Sequence, residues 1–260
     1  MVRYALVVEY CGHNYSGWQT QRNTPTIQDS LEKALSKFAD HKVATITAGR
    51  TDTGVHALNQ VVHFDSNANR ALHGWVVGVN ANLPADIRIK KALIVPNDFD
   101  ARFSAKSRTY HYYLLISKVN SALVNHNIAW YHNQLDVDKM QLAASMLVGC
   151  HDFSSFRASD CQANSPIRTM LQSFVESQGN VMRFTFQANA FLYHMVRNIV
   201  GALVYVGIGK LTVEQFSDIF MACNRKLAPP TFMPNGLYMV NVEYDIPIID
   251  FEQDLWLYSR

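Results

Sequence analysis

The sequence predicts an α+β fold of two pseudo-symmetric split-βαβ (ferredoxin-like) halves, with largely antiparallel sheets and a cleft between the halves. Two observations carry this expectation. Over the first half of the chain, short apolar runs alternate with amphipathic segments of helical period in the order β-α-β-β-α-β. The second half runs through a comparable order, without a letter-by-letter repeat. With 260 residues, 48% hydrophobic and only 17% charged, the chain has the apolar material for such a core and is unlike a disordered polyelectrolyte.

Taken in order, Arg3–Tyr10 reads as a strand, followed by a turn-rich loop (CGHNYSGWQTQRNTP). A helix from Ile27 to about Ala39 follows. Thr26 and Asp29 have capping-box spacing there, and Ile27, Leu31, Ala34, Leu35 and Phe38 share one face. Val43–Ala48 and Gln60–Phe64 read as strands around the polar loop GRTDTGVHALN. A helix within Ala71–Ala81, ended by Asn82 and Pro84, precedes a strand at Ile87–Val95. In the second half, Thr109–Ser117 is a strand, and Val137–Val148 is a helix begun by Asp136 and ended by Gly149. Arg168–Ser177 and Val181–Ala188 flank the hairpin signal Gly179-Asn180. A long helix runs from Ala190 to about Val206 with Asn189 as N-cap, and Thr212 and Gln215 box a short helix through Phe220. Leu237–Tyr244 closes the pattern as a strand. The division falls near residue 105, giving halves 1–105 and 106–260, with the polar loop around Asp52 in the first.

The net charge of +2 says little about partners, because what matters is where charge sits. Acids are absent from Ala101 to Leu135, where Arg102, Lys106, Arg108 and Lys118 fall, and again from Ser177 to Val213, where Arg183, Arg197 and Lys210 fall. These stretches read either as one positive surface facing a polyanion or as strands and a buried helix that carry few charges anyway. Cys11, Cys150, Cys161 and Cys223 show neither a disulfide framework nor a CxxC pair, and Cys150, His151 and Cys161 lack zinc-ligand spacing. The N-terminus is no secretory signal, and the longest apolar run, Ile199 to Ile208, is far shorter than a membrane span. A reducing cytoplasm is the expected compartment.

The segment Ala48–Asp65 (AGRTDTGVHALNQVVHFD) carries the chemistry. It places a carboxylate, Asp52, in a loop between strands, two residues after Arg50 and two before Gly54. Loops at strand ends display functional groups, and glycines allow unusual dihedrals or close approach by a ligand. Asp-Thr-Gly is also the triplet of aspartic proteases, but that chemistry needs two carboxylates sharing a proton, and one triplet in a helix-containing chain does not supply them. Asp before Thr-Gly also serves simply as a turn. Arg197 on a helix with buried neighbours reads equally as a snorkelling surface residue, and Tyr110, alternating with Tyr112, as ordinary sheet packing.

Gly49–Ala57 (GRTDTGVHA) resembles the signature of the synthase I family of tRNA pseudouridine synthases. The resemblance extends through Tyr15–Gln19, Val79–Pro84, Phe99–Ala105, Arg108–Tyr112, His151–Ala158, Ala188–Gly201 and Gly236–Tyr244. It implies that Asp52 is the essential aspartate and that Arg50 enters the RNA beside the target. Tyr110 then packs on the target base, Arg197 pairs with the aspartate, and Leu237 forms an apolar wall of the active-site cleft. It also implies a homodimer acting on uridines at positions 38 to 40 of the tRNA anticodon arm. Two departures stand out. Tyr193 occupies a place where relatives often carry a basic residue, and Leu227–Pro234 is longer than usual. Pseudouridylation breaks the bond from ribose to the base nitrogen, turns the uracil, and rejoins it through ring carbon 5. The composition of the RNA does not change, so the reaction calls for no cofactor and no metal. The carboxylate acts as nucleophile or as base at the sugar, and the residues leave that choice open. A neighbouring guanidinium would keep it ionised, and an aromatic face gives the detached uracil a surface to turn on.

Overall fold

The computed structural model describes residues 1–248 and shows an α+β chain in two compact units. One is Met1–Lys106 with the described chain from Tyr238; the other is Ser107–Leu237.

The first unit has the expected β-α-β-β-α-β order: β1 (Val2–Tyr10), α1 (Ile27–Ala39), β2 (Ile46–Thr47), β3 (His56–Ser66), α2 (Leu72–Asn80) and β4 (Ile87–Ile94). β1 pairs antiparallel with both β3 and β4, and β2 pairs antiparallel with the later part of β3. The earlier part of β3 takes a parallel partner, because Tyr238 and Met239 of β10 (Leu237–Glu243) align with His56 and Ala57. The core is aromatic: Trp75 lies within about 5 Å of Tyr4, Phe38 and Phe64, ring centre to ring centre. The helix α1 starts where Thr26 Oγ1 accepts from Asp29 N, and its apolar face (Ile27, Leu31, Ala34, Leu35) is buried.

The strand expected at Val43–Ala48 shrinks to Ile46–Thr47. Side chains of α1 take the backbone hydrogen bonds instead. Ser36 Oγ accepts from Val43 N at 2.9 Å, and Glu32 Oε1 accepts from Thr45 N at 2.8 Å. An N–H already satisfied by a helix side chain has none left to give to a ladder.

The second unit contains β5 (Ser107–Ile116), β6 (Ala129–Tyr131), α3 (Val137–Ser145), β7 (Gly149–Asp152), β8 (Ile167–Gln178), β9 (Val181–Ala188), α4 (Met195–Gly207) and α5 (Val213–Met221). Its strands run in the order β5-β9-β8-β7, antiparallel throughout, with β6 parallel on β5. The hairpin β8–β9 turns at Gly179, φ 61°, and both halves of the Thr212–Gln215 capping box form. The helix expected from Ala190 begins only at Met195. Its supposed cap, Asn189, is committed to the sheet: Oδ1 accepts from Thr169 N at 3.0 Å, and the Asn189 N–H donates to Thr169 O at 3.1 Å. The Val137 helix stops at Ser145, short of Val148, and the short strands β6 and β7 carry no periodicity a sequence could show. Among the described residues no helix is long and apolar enough to cross a membrane.

Candidate active site

The loop bearing Asp52 is fixed from several sides within the first unit. Ala48 N donates to Val61 O at 2.8 Å, holding the start of the loop against β3. Gly49 O accepts from Gln60 Nε2 at 2.7 Å. Thr51 is held twice, by a 2.8 Å bond between its hydroxyl and Tyr10 OH and by Trp18 N, which donates to Thr51 O at 3.0 Å. Val55 N donates to Asp52 O at 3.1 Å, and Gly54, φ 77°, supplies the left-handed step of that turn. As a result Thr51 is buried, while Arg50 is exposed and Asp52 half-buried.

The segment Tyr15–Gln19 has a direct structural purpose here. Gly17 has φ 86°, and a Cβ on it would lie 2.7 Å from Thr51 O and 3.1 Å from the carbonyl carbon of Asp52. Only glycine lets this segment lie so close against the loop. Trp18 is buried with its ring 5.9 Å from that of Tyr10. Burial pushes the Tyr10 phenol up to about 12, so its hydroxyl keeps its proton at any working pH.

In the second unit, Tyr110 sits on β5 opposite Phe186, nearly buried, with its ring edge-on to Phe191 at 4.9 Å. Arg197 lies in the first turn of α4. Its Nε donates to Phe232 O at 3.0 Å, and its own carbonyl accepts from Phe232 N at 3.2 Å. Leu237 opens β10 and is buried, its N–H donating to Pro234 O at 2.9 Å. The long stretch Leu227–Pro234 is pinned in place. Arg225 donates to Ala228 O at 3.0 Å and Pro229 O at 2.9 Å, Thr231 Oγ1 donates to Asn198 Oδ1 at 2.6 Å, and Tyr112 OH donates to Met233 O at 2.8 Å. Gly201 lets the backbone of this stretch close on α4, since a Cβ there would lie 2.4 Å from Pro230 O.

The acid-free stretches divide. Arg108 and Arg183 are buried, the first donating to Asn189 O at 2.8 Å and the second to Glu176 Oε1 at 2.8 Å. Arg102, Lys106, Lys118 and Lys210 are exposed, and Lys106 pairs with Asp245 at 3.0 Å. Among the described residues no group of three His, Cys, Asp or Glu side chains is arranged to hold a metal ion.

A family model described as tRNA pseudouridine synthase matches residues 6–104 and 143–245. The chain belongs to the tRNA pseudouridine synthase family. It is 50% identical over 244 residues to tRNA pseudouridine synthase A of Paraburkholderia phytofirmans, covering 94% of this chain and 90% of that protein. It is 48% identical over 262 residues to tRNA pseudouridine synthase A of Herminiimonas arsenicoxydans, covering 98% and 95%. Among solved structures it is similar to an archaeal box H/ACA sRNP Nop10-Cbf5 complex at a TM-score of 0.37 and 12% identity, covering 86% of this chain and 59% of that one. As a synthase of this family the chain is an isomerase acting on tRNA uridine. The loop at Asp52 stands out in the sequence because its polar residues and glycines are consecutive. The side chains that hold that loop, Tyr10 and Gln60, read from sequence only as strand residues, because their hydrogen bonds span 41 and 11 positions.

Proposed function

We propose that this synthase converts uridine to pseudouridine at positions 38 to 40 of the tRNA anticodon arm, as a cytoplasmic homodimer, with Asp52 as the reacting carboxylate. The observation that carries this reading is the loop itself. Thr51 is buried by bonds to Tyr10 and Trp18, which fixes the backbone between Arg50, exposed, and Asp52, half-buried.

In the reaction, the C1′–N1 bond of the uridine breaks, and the carboxylate of Asp52 acts at the sugar as nucleophile or base. The detached uracil turns, C5 bonds to C1′, and the proton of C5 is lost as N1 gains one. Atoms and electrons balance within the RNA. The reading assigns Tyr110 as the surface against which the base turns; its edge-on contact with Phe191 fixes the ring plane. Arg197 is the cation of the site, with its stem braced by Phe232 O, and Leu237 is an apolar wall that keeps water out. Arg50, exposed beside Asp52, is placed to fill the gap left by a base drawn from its stack.

The test is tritium release from a tRNA transcript labelled at C5 of uridine, with carbodiimide mapping of the product. Stoichiometric release with stops confined to positions 38 to 40 is expected. Product mapped only outside the anticodon arm would overturn the target assignment, and sedimentation as a monomer at assay concentration would overturn the dimer.

A further inference from the structure

We infer that Tyr10 and Gln60 are positioning residues that set the direction of Asp52 by gripping the loop at Gly49 and Thr51. The inference rests on the reading of Asp52 as the reacting carboxylate and adds two residues that touch no substrate. Both side chains belong to the core of the first unit, Gln60 fully buried and Tyr10 nearly so. Gln60 Nε2 lies 2.7 Å from Gly49 O and 3.3 Å from Tyr10 OH, and Tyr10 OH lies 2.8 Å from Thr51 Oγ1. The chain of contacts therefore grips one residue before Arg50 and one residue before Asp52. With Thr51 drawn into the core, the backbone on either side of it is fixed, leaving Arg50 exposed and Asp52 half-buried.

Two features mark this clamp as more than ordinary strand packing. First, Gln60 Oε1 is buried without a hydrogen-bond partner. Buried polar atoms are nearly always paired, and a core residue chosen for stability alone would not leave an amide oxygen stranded. Turning the amide over would set that oxygen against Gly49 O, so the orientation is dictated by the grip on the loop. Second, the register between β1 and β3 slips by one residue here, Val8 facing Gln60 but Tyr10 facing Ala57. Such a bulge re-aims side chains beside functional sites. Here it falls between the two residues of the clamp.

The position of a reacting group matters steeply, since a misplacement of about 1 Å can cost on the order of 100-fold in rate. Four variants of the full chain test the clamp: Tyr10→Phe, Gln60→Met, Thr51→Val and Thr51→Ser. Single-turnover rates on tRNA should fall about 10- to 100-fold for the first three, with tRNA affinity and KM unchanged, whereas Thr51→Ser, which keeps the hydroxyl, should stay near the parent. Circular dichroism and thermal melting confirm that each variant folds. Should Tyr10→Phe not fold, the Thr51 pair decides, since the two differ by little but the hydroxyl. Parent-like turnover by Thr51→Val, an equal loss in Thr51→Ser, or affinity falling in step with rate would each overturn the inference. Asp52→Asn, assayed alongside, separates the two readings. If it turns over, the role of Asp52 itself is wrong. If it is silent while Thr51→Val and Tyr10→Phe are at full rate, only the clamp is wrong.

Discussion

Two arginine-bearing regions of this synthase are built on opposite terms. Around Asp52 the neutral groups of Tyr10, Thr51, Gln60 and Trp18 hold the backbone from inside, leaving Arg50 exposed and Asp52 half-buried. In the second unit the guanidiniums are the braces. Arg108, Arg197 and Arg225 donate to carbonyls of Asn189, Phe232, Ala228 and Pro229, and Arg183 is buried against Glu176. An arginine offers five donors in a fixed fork, so it serves as well to satisfy stranded carbonyls as to bind phosphate. The contrast teaches that a run of sequence without acids is not by itself a positive surface.

The largest effect should come from removing the carboxylate that the first region carries, Asp52. Asp52→Asn keeps shape and turn-forming oxygen but cannot act as an anionic nucleophile or base. Turnover should fall by at least about 10⁴-fold, the scale on which loss of a reacting carboxylate acts, with tRNA binding and melting temperature unchanged. Substantial tritium release by this variant would reduce Asp52 to a turn residue and erase the contrast. Tyr110→Phe, measured in the same assay, should cost far less if the ring face alone supports the uracil, and comparably if its hydroxyl carries a proton.

Next in size is the cost of breaking a brace. Arg183→Met leaves Glu176 without its partner in a largely buried place. Because the Glu176 side chain keeps 29% exposure, the loss should be about 1–3 kcal/mol, lower than for a fully buried pair. Its signature is a lower denaturation midpoint with an unchanged dependence of tRNA affinity on salt. Replacing exposed Arg102, Lys118 and Lys210 by Gln should do the reverse. Stability should hold, and the slope of log affinity against log salt should shrink by about 0.7–0.9 for each phosphate that is no longer neutralised. A shallower salt slope for Arg183→Met at unchanged stability would place that arginine on the RNA.

The same contrast explains what was legible in the sequence. The helices at Ile27 and Val213 could be read because their caps and apolar faces are local, set by residues three and four apart. The loop Gly49–Ala57 drew attention because its charged residues and glycines are consecutive. The strand at Val43–Ala48 and the start of α4 could not, since each was decided by a distant hydrogen-bond partner: Ser36 and Glu32 for one, Thr169 for the other. For the same reason the sequence left Arg183 open between surface charge and a strand residue. Its partner Glu176 lies just before the acid-free stretch and across a hairpin turn. Tyr10 and Gln60 resemble any strand residues until their contacts are seen.

The smallest effect follows from a brace of the first unit that titrates. Ala101 N donates to His63 Nδ1 at 3.0 Å, so the ring must present a lone pair there and be neutral at that atom. Burial is the main cause holding the His63 pKa below its ordinary value near 6.5; Asp100 pulls the other way and Arg3 adds to the depression. Below that value the unfolded chain takes up a proton that the folded one refuses. Stability is therefore full above about pH 6.5 and declines as pH falls toward the lower folded value. The nearby Asp65, held down by its bond to Arg3, gives way only below the ordinary carboxylate range and leaves this window clear. The braces of the second unit are guanidiniums, with no imidazole among them. Acid should thus loosen the turn at Phe99–Ala105 before it touches Leu227–Pro234. Amide exchange at Ala101 should quicken between about pH 7 and pH 5.5 beyond the intrinsic trend, while exchange at Phe232 should not. In His63→Gln, whose side-chain oxygen still accepts from Ala101 N but binds no proton, the extra quickening should vanish. If it persists there, acid acts on the first unit through another group, and His63 is packing rather than a brace.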